Sequence, residues 1–139
     1  MATTTKAAII PAFRYRDAHA AIDFLCRAFG FERHAVYDGP DGSVAHAQLV
    51  LGSSMIMLGS ASNEGEYADW VKPPASREAA TTLGLYVIVG DCDAHCARAR
   101  AAGALILREP VDEDYRGRGY TCRDLEGHVW SFGTYDPWG

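Results

Sequence analysis

The sequence predicts an α+β fold in which one strand-helix-strands unit is stated twice within a single domain. Three observations carry this. Arg16-Asp17 opens an apolar-periodic stretch that stops at Gly30, and Gly90-Asp91 opens a similar stretch that stops at Gly103. About 20 residues after each comes a pair of short strands with a Gly turn, at Leu51-Gly52 and at Glu126-Gly127. Matching features lie roughly 73 to 75 positions apart, about half of the 139 residues, so two copies nearly fill the chain. Two such units make two similar curved sheets, and the expectation is a pocket that both of them line.

Ala7 to Tyr15 reads as the first strand, with Pro11 placing it near an edge or a bend. Asp17 is the expected N-cap of a helix whose Ile22, Leu25, Cys26 and Phe29 form an apolar stripe, and Gly30 suits its left-handed end. Phe31 to Tyr37 is a second strand, followed by turn chemistry from Asp38 to Gly42. Val44 to Leu51 and Met55 to Leu58 pair around Gly52-Ser53-Ser54. Ser60 to Thr82 carries Pro73-Pro74 and no sustained period, and reads as a linker. The second copy runs through Leu83 to Val89 (strand), Asp91 to Ala102 (Ala-rich helix), Ala104 to Arg108 (strand), then Tyr120 to Arg123 and His128 to Thr134. The expected division of the single domain is module one over about 5–60, linker about 61–81 and module two about 82–137.

Bulk properties exclude some partners. A hydrophobic content of 48% supports a real core. A formal charge of −5 leaves no basic stripe for phosphates, so no nucleic-acid partner is expected. The longest apolar run, Leu83 to Val89, is far short of a membrane span, and Met1 to Lys6 lacks the apolar core of a secretory signal. The expectation is a soluble, cytoplasmic protein. In that setting Cys26, Cys92, Cys96 and Cys122 are read as reduced thiols.

Three segments together resemble the vicinal oxygen chelate superfamily, the glyoxalase/bleomycin-resistance/extradiol-dioxygenase group. They are Ile10 to Asp17 with Ala21 to Phe24 and Ala28 to Phe31, then Tyr86 to Asp91 ending at Ala101 to Ala104, and last Arg123 to Phe132. The third is the most specific, with Leu125 where the family turn usually has Pro. The resemblance implies two tandem βαβββ modules, a homodimeric assembly, and a cup for a small molecule. It also implies metal ligands on the first and last strand of each module. Carried over one at a time, those positions fall on or near Ile10, Met57, Gly84 and Ser131. None of these is an ordinary ligand for a hard divalent ion, and neighbouring Ile9, Pro11, Leu83 and Leu85 offer no donor either. No metal or other cofactor is therefore expected.

Strand alternation turns the same positions into a cup lining. Inward with Ile10 come Ala12 and Arg14, and with Met57 comes Met55. Ala45, Ala47, Leu49 and Leu51 form the apolar face of their strand, leaving His46 and Gln48 toward the cup. The second module contributes Tyr86, Ile88, Thr121, Arg123, Val129 and Ser131, and Trp70 with Tyr67 is either a linker anchor or a stacking lid. Apolar walls with a few polar groups suit a small organic molecule.

Each residue also has a plainer reading. His46 is a hydrogen-bonded lining residue or the single candidate for a catalytic base. Arg14 and Arg123 clamp an anion, or Arg14 reaches solvent and Arg123 pairs with Asp124 or Glu126. His128 is expected toward the helix side or the sheet end, in a structural role. Cys92 and Cys96 lack the second ligand pair of a zinc site. The leading expectation is a metal-independent binder that sequesters a small organic molecule in the cup. The alternatives are a metal-dependent or His46-based lyase, isomerase or dioxygenase, and a ligand-free interaction module.

Overall fold

The computed structural model of the chain describes residues 6–62 and 64–139. Its order is β1 (Ala12–Tyr15), α1 (Ala18–Phe24), β2 (Glu32–Asp38), β3 (Val44–Leu51), β4 (Ser54–Ser60), α2 (Glu66–Trp70), β5 (Gly84–Ile88), α3 (Cys92–Ala101), β6 (Leu105–Asp112), β7 (Arg118–Arg123) and β8 (Val129–Gly133). The strands form two four-stranded sheets with orders β1-β4-β3-β2 and β5-β8-β7-β6, the same topology twice. In each, the first strand runs parallel to the last and the other pairs are antiparallel. This is the α+β architecture of two tandem βαβββ modules.

Local chemistry sets the helix ends. Asp17 and Asp91 each cap a helix by accepting from the N–H three residues on, Ala20 at 3.1 Å and Ala94 at 3.0 Å. Gly30 closes the first helix at φ +91°, after a π-helical turn, Leu25–Phe29, extends α1. Other elements differ from expectation. Ala7 to Pro11 lies outside β1. The linker contains α2, a helix too short for a period to show. β6 continues to Asp112, carried by backbone pairing with β7 through residues of charged-loop composition. In β3 the pairing slips between Tyr37 and Asp38, which face His46 and Val44, so Val44 is buried and Ala45 turns outward.

Both sheets contribute to one core. Phe13 of β1 stacks on Trp130 of β8 at 5.4 Å, and Phe29 meets Trp130 and Phe132 at 5.1 and 4.7 Å. The buried stripes of α1 (Ile22, Phe24) and α3 (Cys92, Cys96, Ala99) belong to the same layer. Side chains of odd register, Phe13 and Tyr15, point into this layer, as do Trp130 and Phe132. The opposite faces of the two sheets therefore point away from the core and away from each other.

The turn after β7 clasps the modules together. Asp124 is buried and accepts five hydrogen bonds: Oδ2 from the Tyr15 hydroxyl (2.6 Å) and Trp130 Nε1–H (3.1 Å), Oδ1 from the N–H groups of Glu126, Gly127 and His128. Glu126 accepts from the backbone N–H of Arg16 and Asp17 at 2.6 and 2.8 Å, holding the entry to α1 with negative charge at its positive end. Arg98 of α3 answers at the other end, donating to the carbonyls of Arg27 and Cys26 at 2.7 and 3.1 Å. The most specific sequence segment thus joins the two modules.

His95 of α3 bridges the same junction. Its Nε2 lies 3.3 Å from the Phe29 carbonyl and so carries the proton, leaving Nδ1 to accept from the Tyr120 hydroxyl at 2.6 Å. Burial lowers its pKa below the ordinary value, the hydrogen bond to the Phe29 carbonyl opposing and Arg98 adding to the shift. The unfolded chain then binds the extra proton first, so stability falls as pH drops from about 6.5 towards the lowered folded value. Urea unfolding at about pH 7.5 and about pH 5.5 is expected to show this loss, and His95→Gln to reduce the difference between the two. An unchanged difference in the variant would assign the effect to other groups.

Cys92, Cys96 and Cys122 are buried free thiols and Cys26 is partly exposed. Burial pushes the Cys122 thiol up to about 12, which makes it an inert packing group.

Candidate functional site

The outer face of the first sheet holds most of the expected lining of module one. Strand register sets Arg14 beside Gly59, Ala12 beside Met57, Met57 beside Gln48, Val50 beside Met55, and His46 beside Tyr37. Gln48 Nε2 lies 3.2 Å from His46 Nε2, and because the amide nitrogen can only donate, the ring nitrogen accepts. The His46 ring stacks on Tyr37 at 6.3 Å between centroids. Among the described residues no acid or base partner completes a proton relay at His46, so its neighbours fit a lining residue held by hydrogen bonding.

Arg14 is the cation of this face. Its guanidinium lies 4.4 Å from the centroid of the Tyr67 ring, which α2 brings over the sheet. No carboxylate pairs with it among the described residues. Gly59 makes room for it: a Cβ there would meet Arg14 Nη1 and, at 3.0 Å, the Ala45 carbonyl.

The outer face of the second sheet repeats the plan with other chemistry. Tyr86 pairs with Ser131, and Ser131 with Thr121, whose hydroxyls lie 2.8 Å apart. The Tyr86 hydroxyl donates to the Tyr135 carbonyl at 2.6 Å, and burial, followed by the Tyr115 charge, raises its pKa, keeping it a donor. A Cβ on Gly133 would meet Tyr86 Oη at 2.8 Å, so this glycine serves Tyr86 as Gly59 serves Arg14. Gly59 and Gly133 are 74 positions apart, within the repeat period. A cavity of about 270 Å³ opens here, lined by Tyr86, Thr121, Ser131, Tyr115 and the Arg108–Glu113 ion pair.

Two expected lining residues are placed elsewhere. Arg123 donates to the carbonyls of Ala79 and Gly127 at 2.6 and 3.1 Å, so it anchors the linker and pairs with neither Asp124 nor Glu126. Trp70 lies with Pro11, Phe13, Val71 and Leu83 in a groove between the modules. The sequence reading did not single out Gly59, Gly133, Tyr37 or the Arg108–Glu113 pair. The glycine period was available as a signal. The ion pair was not, since it depends on how β6 bends.

Within one chain the two linings do not face each other. Arg14, His46, Gln48, Met55 and Met57 occupy one outer surface, and Tyr86, Thr121 and Ser131 occupy the other.

The registers also relate the four positions that the family resemblance marks for metal ligands. Met57 is paired with Ala12 just as Ser131 is paired with Tyr86, and Ile10 and Gly84 stand two residues before those partners. A thioether, one hydroxyl, an alkyl chain and a glycine do not fit a hard divalent ion. Among the described residues no three His, Cys, Asp or Glu side chains gather as a metal site.

The model for the Glyoxalase/Bleomycin resistance protein/Dioxygenase superfamily matches residues 9–132. The chain belongs to that superfamily. It is 30% identical over 133 residues to the uncharacterized protein Rv0887c of Mycobacterium tuberculosis, covering 96% of this chain and 77% of that one. Among solved structures it is similar to TioX from Micromonospora sp. ML1, at 30% identity and a TM-score of 0.69, over 91% of this chain and 94% of TioX. The fosfomycin resistance protein FosX from Mesorhizobium loti shares the fold at 15% identity and a TM-score of 0.67, over 97% of this chain and 96% of FosX. Among the described residues no helix is long and apolar enough to cross a membrane.

Proposed function

We propose that the protein binds a small organic molecule without a metal, in a cup formed between the outer face of its first sheet and the second sheet of another copy, as a cytoplasmic sequestering or resistance protein. The observation that carries this reading is the pairing of donor-poor ligand positions with an open face that keeps an unpaired arginine. Arg14, seated on Gly59 and steadied by Tyr67, is available to an anionic or electron-rich ligand. Met55 and Met57 give the wall beside it adaptable apolar surface.

The homodimer belongs to the same proposal. A two-fold pair lets the Arg14 face of each chain meet the Tyr86 face of its partner, building two cups from one interface. Sedimentation at micromolar concentration is expected to give twice the chain mass. A monomer at that concentration contradicts the shared cup.

The binding test uses 8-anilinonaphthalene-1-sulfonate, an aromatic anion, as probe. Saturable binding is expected, unchanged by chelator and weakened about tenfold, roughly 1.4 kcal/mol, by Arg14→Ala. Gly59→Ala, which displaces the guanidinium, is expected to act in the same direction. Binding that chelator abolishes, or that neither variant alters, would overturn the reading.

A further inference from the structure

We infer that the groove between the modules is a second binding site, for a small neutral aromatic alcohol, distinct from the outer faces. It is a concavity of about 610 Å³, within the range that small-molecule sites occupy. Its walls come from three segments: Phe13 of β1, Leu85 of β5, and the linker residues Trp70, Val71 and Pro73. Trp70 is 71% exposed, so the face of its ring is free to stack on a flat ligand. Pro73, by contrast, is buried and fixes the linker as a rigid wall.

The polar group that gives the groove its chemistry is His128. The ring lies edge-on to Phe13 and Tyr15 at 4.8 and 4.9 Å, which fixes its plane. Its Nε2 lies 3.2 Å from the Arg14 carbonyl, and a carbonyl only accepts, so Nε2 carries the proton. In the neutral ring Nδ1 is then a lone pair, with no partner among the described residues, on a side chain that lines the groove. A lone pair at an apolar wall selects a hydrogen-bond donor and disfavours an anion. Lys72, the one Lys or Arg among the lining residues, is exposed and free to keep its ammonium in water, beside the hydroxyl-bearing Thr81 and Thr82. An aromatic ring against Trp70 with its hydroxyl donating to His128 Nδ1 satisfies each of these features.

The test compares 1-naphthol with 1-methoxynaphthalene, which has the same rings and no donor, by calorimetry on the intact chain. Saturable binding of 1-naphthol is expected, about tenfold tighter than that of the ether. His128→Phe, which keeps the ring packing, should erase that preference, and Trp70→Ala should weaken both compounds. Nitrogen NMR of the unsubstituted protein should show the His128 Nδ1 resonance moving with 1-naphthol and staying with the ether. His128→Phe should leave binding of 8-anilinonaphthalene-1-sulfonate at the cup unchanged, which separates this site from the cup. Equal binding of the two naphthalene compounds, no saturable binding, a stationary Nδ1 signal, or loss of the anion's binding in His128→Phe would each overturn the inference.

Discussion

Asp124→Ala is expected to destabilise the protein by more than about 4 kcal/mol, at the far end of single-substitution effects. Five donors lose the carboxylate at once, only the Gly127 N–H keeping a second acceptor in the Asp124 carbonyl, and the Tyr15 hydroxyl and Trp130 Nε1–H are among the most deeply buried groups in the chain. Each unsatisfied buried donor costs about 1–3 kcal/mol, and the backbone donors cannot turn to find water. Tyr15 itself cannot compensate by ionising, since burial and then the Asp124 charge raise its pKa well above the ordinary value. Tyr15→Phe removes only one of the five bonds and is expected to cost about 1–3 kcal/mol. Urea unfolding of both variants checks the ordering. Equal costs would mean that Asp124 matters only through Tyr15, and the clasp described above would be wrong.

Gly127→Ala is the second large effect, about 2–4 kcal/mol, and it acts through the linker. Gly127 has φ +105°, where a side chain is strained, and an added Cβ would meet the carbonyls of Ser76 and Arg77 at 2.7 and 2.9 Å. Those atoms are backbone, so the linker must move rather than a rotamer. Arg77 ties the same segment to the carbonyls of Asp124 and Gly103, and Arg123 ties it to Ala79. The expected result is a less stable protein with faster tryptic cleavage at Arg77 in the folded state. A variant as resistant to trypsin as the parent would show that the linker is held by other contacts.

The parts legible in the sequence were those set by local chemistry. Asp17, Gly30 and Asp91 fixed helix ends because capping and left-handed backbone involve only near neighbours. The positions Ile10, Met57, Gly84 and Ser131 came from the family resemblance, and the registers set Met57 and Ser131 opposite Ala12 and Tyr86 in the two sheets. What failed to show depended on distant partners. The slip that buries Val44 in place of Ala45 comes from pairing across β2, and the length of β6 from pairing with β7. Arg123 belonged to a rich choice of acceptors, and only the path of the linker selects Ala79. The largest gap concerned which faces meet. Nothing in either module alone says that α1 and α3 pack into one shared layer, which turns Arg14 and Tyr86 to opposite sides.

The most direct test of the account is calorimetric titration of the chelator-treated protein with Mn²⁺, a hard ion that relatives with carboxylate and imidazole donors would hold. The donor set of Ile10, Met57, Gly84 and Ser131 predicts no saturable binding tighter than about 1 mM, while the aromatic anion binds the same sample undiminished. One ion per chain held at micromolar strength, and lost in Ser131→Ala, would contradict it.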